Sequence, residues 1–135
     1  IGVKKIFIDR DDVDPKRNSN RRISNENELR DLLKKEDFDF IKLSELSFLN
    51  QINIFYNADI IVGLHGAGFA NLSFCKSGTK IVEIRANETR KIIESIAKNN
   101  NLNFNALNYN PEKLSDKQNG VIKVSLDELE KAIKH

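Results

Sequence analysis

With one cysteine in the whole chain, Cys75, no intramolecular disulfide framework can form. Order must come from a hydrophobic core, and 135 residues are enough to bury one as a single domain of ordinary size. Cys75 follows apolar Phe74 and reads as a small core residue, compatible with a reducing compartment. Long apolar runs are also missing. Nothing approaches the roughly 20 residues of a membrane span, so no transmembrane segment is expected. No leader-like segment precedes the first apolar run, and the opening Ile1-Gly2-Val3-Lys4-Lys5 reads as a cut through a longer protein. Charge of one sign is lacking too. The formal balance is +2, which gives no whole-molecule field that would demand nucleic acid or membrane. The basic residues are nevertheless uneven: Lys16, Arg17, Arg21 and Arg22 fall in one short stretch. There is no internal repeat. Neither the six-residue dinucleotide fingerprint nor a P-loop ending in Lys-Ser/Thr is present.

The most informative stretch runs from Ala58 to Asn71, Ala-Asp-Ile-Ile-Val-Gly-Leu-His-Gly-Ala-Gly-Phe-Ala-Asn. The apolar run Ile60–Val62 predicts a buried strand. It ends in Gly63, His65 is followed by Gly66 and Gly68, and a helix is predicted from about Phe69. A strand that stops in glycines just before a helix is a common cradle for phosphate. Small residues admit the ligand close to the backbone, and free N–H groups at the helix start face the anion.

Around this stretch, strands and helices alternate. Lys5–Asp9 predicts a first strand, apolar enough for burial on both faces as in a parallel sheet. Asp11–Arg22 has no apolar period and reads as a long loop. Ser24 or Asn25 is placed as the cap of a helix with Leu29, Leu32 and Leu33 inward, Glu28 completing part of a capping box. Phe38, Phe40 and Ile41 predict a second strand. Ser47 caps a helix expected to bury Leu49, Ile52 and Tyr56. After the central strand come a short helix to Phe74, a Ser77-Gly78 turn and a fourth strand, Lys80–Ile84. Thr89–Asn99 predicts a helix with Ile92, Ile93 and Ile96 inward, and Leu102–Leu107 a fifth strand. Val121–Val124 is a short extended piece, and Ser125 with Glu128 starts a last helix burying Leu126, Leu129 and Ile133. The alternation argues for an α/β fold, a Rossmann-like doubly wound, mainly parallel sheet. Right-handed crossovers then bring the ends of the first, third and fourth strands to one edge, and with them Arg10, His65 and Glu83 to Arg85.

Several separated motifs in order carry a resemblance. They are the strand ending in Arg10, the basic loop, Arg22-Ile23-Ser24-Asn25-Glu26, Leu46-Ser47-Phe48, Ala58–Gly63, His65-Gly66-Ala67-Gly68, Asn71-Leu72 and Gly78–Ile84. From about Lys4 to Ile84 the chain resembles the C-terminal half of the family 61 glycosyltransferases. That family takes in bacterial capsular-polysaccharide enzymes, plant xylosyltransferases and animal enzymes that add N-acetylglucosamine to proteins. The resemblance implies a GT-B enzyme, two Rossmann-like halves with a cleft between them. The C-terminal half holds a nucleotide-sugar donor, commonly a UDP-sugar, and transfer inverts the anomeric centre without a metal or other cofactor. It places Arg10 and Arg22 on the diphosphate, and His65, Gly66, Ala67, Gly68 and Asn71 along the donor pocket. Glu83 falls near the nucleoside. His65 would support the leaving group, while the base and the acceptor, a glycan or protein, belong with an N-terminal half this chain does not contain. A bacterial cytoplasmic setting is the corresponding expectation, with membrane association only through other parts of the protein. Two positions depart from the family's habit: Phe69 stands where Leu is usual and Asp9 where Ser is common.

Each residue also has a plainer reading. Arg10 and Arg22 have the fixed charge and fork geometry for diphosphate, yet either suits a solvated ion pair with Asp9, Asp11 or Asp12. His65 suits a satisfied buried histidine, Gly66 and Gly68 a turn, Asn71 a helix cap, and Glu83 a polar strand flank. Asp12-Val13-Asp14 has the spacing of a metal-binding pair in the GT-A fold, and a metal-dependent nucleotide enzyme is one rival reading. It lies in a mixed-charge loop before Pro15 rather than on a firm frame. A non-catalytic module whose basic loop grips nucleic acid is a second rival, opposed by the lack of interleaved aromatics and the near-neutral charge. A degenerate scaffold domain is a third.

Overall fold

The computed structural model describes residues 3–9, 23–64, 69–87, 91–112 and 121–134. Its frame is a five-stranded sheet: β1 (Lys5–Ile8), β2 (Asp39–Ile41), β3 (Ile60–Leu64), β4 (Lys80–Ala86) and β5 (Asn103–Tyr109). The spatial order is β2-β1-β3-β4-β5 and every pairing is parallel. Among the described residues four α-helices alternate with the strands: α1 (Glu26–Lys35), α2 (Phe48–Asn57), α3 (Ile92–Asn99) and α4 (Leu126–Lys134).

The side-chain alternation of the strands sorts the core into two layers. On one face Phe7, Val62, Val82, Ile84 and Leu107 pack against Leu29 and Leu33 of α1 and Leu129 and Ile133 of α4. On the other, Ile6, Ile8, Ile61 and Ile81 pack against Phe55 of α2, Phe69 and Leu72, and Ile93 and Ala97 of α3. Helices on both faces of a parallel sheet make the fold doubly wound, as the alternating pattern predicts. β4 is paired on both sides and buried from Ile81 to Ala86.

Local chemistry sets the element ends. Ser47 caps α2 by accepting the Asn50 N–H at 3.2 Å, and Ser125 accepts the Glu128 N–H at 3.3 Å at the start of α4. Gly78 takes φ +90° in the turn before β4, a conformation that glycine adopts without penalty. Four expectations are corrected. The Asn25 side chain does not cap α1. Its amide donates to the Val124 carbonyl at 2.8 Å and accepts the Val124 N–H at 3.0 Å, tying the start of α1 to the segment before α4, beside the parallel bridge Ile23–Ile122. On α2, Leu49 and Tyr56 are exposed and Phe55 is fully buried. The helix carries two apolar stripes on different faces, and the one continuing into buried Ala58 faces the sheet. On α3, Ile92 is exposed, and Ile93 and Ala97 hold the inner face. Lastly, Phe69–Phe74 is a six-residue 3-10 helix rather than an α-helix, too short to build much dipole at its start.

Cys75 is half-buried against the second layer, and burial pushes its thiol up to about 12, which leaves it inert near neutral pH.

Candidate functional site

In a doubly wound sheet, ligands bind beyond the carboxyl ends of the strands where the order reverses. Here the chain passes from β1 outward to β2, returns across to β3, and then runs through β4 to β5. The reversal therefore lies between β1 and β3, in register at Ile8 and Gly63. Of the residues singled out in the sequence, Arg10, Arg22, His65, Gly66, Ala67 and Gly68 lie outside the described residues, as do Asp12 and Asp14. Their described chain neighbours Asp9 and Leu64 sit at the two strand ends that flank the reversal. The expected adjacency of the first, third and fourth strands is thus met at the level of the backbone.

The end of β1 is held on two sides. Asp9 N–H donates to the Ile41 carbonyl of β2 at 2.8 Å. Its carboxylate takes both arms of the Arg30 guanidinium from α1, Nη1 to Oδ2 at 3.0 Å and Nη2 to Oδ1 at 2.5 Å. Arg30 also lies over the rings of Phe7 and Phe40, at 6.0 and 5.4 Å, and its Nε is 3.6 Å from Glu26. The hydrogen-bonded Asp9 carboxylate holds the Arg30 guanidinium above its ordinary value.

The end of β4 carries a buried ion pair. Glu83 and Arg85 alternate with Val82 and Ile84, so they lie on the face of α2 and α3. Arg85 Nη1 donates to Glu83 Oε1 at 2.8 Å, and Arg85 Nε donates to Asn108 Oδ1 of β5 at 2.7 Å. Its guanidinium stands 6.0 Å from the Phe104 ring centre. Glu83 is 0% exposed and Arg85 4%. A charge so deep in a sheet is tolerated only when paired and hydrogen-bonded. Glu83 is paired in register with Gly63 of β3, so this cluster adjoins the strand that leads to His65. No Cβ fits freely on Gly63: it would meet the Phe69 ring at 3.0 Å.

Asn71, on the 3-10 helix, donates its amide to Gln51 Oε1 at 3.0 Å, and Gln51 Nε2 donates to the Leu43 and Leu46 carbonyls. This chain of bonds fastens the 3-10 helix to the start of α2. Asn71 thus has a structural employment in addition to the donor contact that the resemblance implies. Among the described residues no group of three His, Cys, Asp or Glu side chains is placed to hold a metal ion.

The sequence pattern does not single out Arg30, Asn108 or Gln51, and it places Arg85 at the strand ends without its pairing to Glu83. Arg85 carried a usable signal, since opposite charges two apart on an otherwise apolar strand share one face and must neutralise each other. Arg30 carried none beyond its place one turn after Glu26, because its partner is 21 residues away.

A parallel doubly wound sheet with its reversal at β1 and β3 defines the class: a Rossmann-like α/β domain. The chain belongs to the family described as Glycosyltransferase 61, whose model matches residues 2–82, from β1 into β4. It is also similar to the EGF domain-specific O-linked N-acetylglucosamine transferase of Bos taurus, 39% identical over 70 residues, and of Rattus norvegicus, 39% over 69. The protein of the same name from Gallus gallus is 36% identical over 69 residues. Each match takes in 47% of this chain and 13% of the relative. The chain thus matches only a small part of these relatives. No helix among the described residues is long and apolar enough to cross a membrane.

Proposed function

We propose that this chain is the donor-binding, C-terminal Rossmann-like part of an inverting GT-B glycosyltransferase that works without a metal. The observation that carries the proposal is the coincidence of the family match with the topology. The matched segment runs from β1 into β4, and Arg10 and the run His65 to Gly68, which the family resemblance assigns to the donor, follow in the chain just after β1 and β3, the strands at the reversal. Arg10 and Arg22 bind the diphosphate, neutralising the leaving group. His65 and the glycines to Gly68 line the donor pocket, with Asn71 at its rim and Glu83 toward the nucleoside. The acceptor and the catalytic base come from elsewhere in the protein. The printed name of the relatives favours a nucleotide-linked N-acetylglucosamine as donor and a protein as acceptor. The bacterial, capsular setting draws no support from them, since all are vertebrate.

The test is a titration of the isotopically labelled chain with UDP-N-acetylglucosamine, UDP and GDP, followed by amide NMR. Millimolar UDP compounds should shift the amides of Asp9, Leu64 and Phe69, and Arg10→Ala should weaken the response about tenfold or more. Unchanged spectra with all three compounds would overturn the reading.

A further inference from the structure

The strand end at the reversal carries a feature at odds with anion binding. Asp9 follows the last residue of β1, beside β3, and on the donor-site reading its carboxylate lies at the strand end that a diphosphate would approach. A bare carboxylate there would repel phosphate. The Asp9 side chain is only 12% exposed and both its oxygens receive Arg30, whose guanidinium is 27% exposed and braced by two aromatic rings. Glu26 reaches the far side of the same guanidinium at the longer distance of 3.6 Å.

We propose that Arg30 is a positioning residue for donor binding: it masks the Asp9 carboxylate so that the tip of β1 can accept a nucleoside diphosphate. The inference rests on the donor-site reading above. The geometry suits the task. A bidentate fork occupies both carboxylate oxygens at once, which a lysine ammonium does not do. Stacking on Phe7 and Phe40 holds the fork in place when ligand competes for it. The pair is partly shielded from solvent, so salt screens it less than it would a fully exposed pair.

The experiment compares UDP with uridine, which share a base and ribose and differ in the phosphates. Arg30→Gln takes the bidentate cation away from the Asp9 carboxylate. It should weaken UDP binding roughly tenfold, leave uridine binding within about twofold, and show a smaller deficit at high salt. Asp9→Ser in the same chain should restore UDP binding to near the wild-type level. Asp9→Ser alone should bind UDP at least as tightly as wild type, and this variant keeps the proposal testable if Arg30→Gln does not fold. Equal losses for UDP and uridine, no rescue by Asp9→Ser, or weaker UDP binding by Asp9→Ser alone would overturn the masking role. A wild-type chain that binds uridine and UDP equally, or neither, would instead overturn the donor-site reading on which it rests.

Discussion

Gly63 has no room for a side chain. An added Cβ would lie 3.0 and 3.3 Å from two atoms of the Phe69 ring and 3.5 Å from Ile8 Cβ. Phe69 is 1% exposed and has nowhere to retreat. Gly63→Ala is therefore expected to destabilise by about 1–3 kcal/mol through overpacking. The measurement is urea unfolding, read as a lower midpoint at unchanged slope. Adding Phe69→Leu should recover part of the loss, because a shorter side chain vacates the contested space. The sequence marks Gly63 as the close of a strand, but the reason for the glycine depends on a ring six residues later folding back over it. The same limit applies to Arg30 and Asp9, whose pairing needs the tertiary fold. By contrast Glu83 and Arg85 announce themselves, since opposite charges two apart among buried Ile, Val and Ala share one face of the strand and meet there.

At the level of elements, α2 shows where periodicity reaches its limit. Leu49, Ile52 and Tyr56 have helical spacing, and so do Gln51, Ile54, Phe55 and Ala58. Both stripes are apolar enough to qualify. The fold chooses the second, because Phe55 and Ala58 fit the layer of Ile6 and Ile61 and Gln51 bonds back to Leu43 and Leu46. Phe55→Ala is expected to cost about 3–5 kcal/mol, the range for truncating a buried aromatic. Leu49→Ala, at 72% exposure, should stay within about 0.5 kcal/mol. Thermal or urea unfolding of the two variants decides between the stripes, and a larger loss for Leu49→Ala would reverse the assignment. β1 and β3 were readable because a parallel sheet buried on both faces leaves near-continuous apolar runs, and edge strand β5 by the alternation of Leu102, Phe104 and Ala106 with Asn103 and Asn105. The 3-10 character of Phe69–Phe74 was not, since composition does not separate one short helical type from another.

Across the molecule, the two ends of the sheet have separate duties. The carboxyl end carries the candidate site, and the amino end is stitched by Asp59. Its backbone N–H donates to Lys4 and its carbonyl accepts from Lys80. Its carboxylate accepts the Lys4 N–H at 2.7 Å and the Lys76 ammonium at 3.0 Å. The Lys4 N–H, first, and then Lys76 hold this carboxyl below the usual carboxylate value. A depressed folded pKa means that the stability it contributes is present above the unfolded value, near 4, and is lost as pH falls through the folded one. Asp59→Asn is therefore expected to lower stability at pH 7 and to flatten the acid limb below about pH 4. Unfolding midpoints measured from pH 2 to 7 check it, and an acid limb as steep as that of wild type would count against it. The order of the strands was within reach of the sequence as a fold class, because right-handed crossovers leave few alternatives. The exact register was not, since each pairing joins residues far apart in the chain.

That order also bears on how the protein is made. Of these five strands β1 leaves the ribosome first, β2 settles on one flank and β3 on the other, and β4 and β5 then extend the β3 side in turn. Every newcomer joins a free margin of what already exists, and none has to wedge between neighbours that have closed. Biosynthesis from the amino terminus can therefore assemble this sheet without ever taking a piece of it apart.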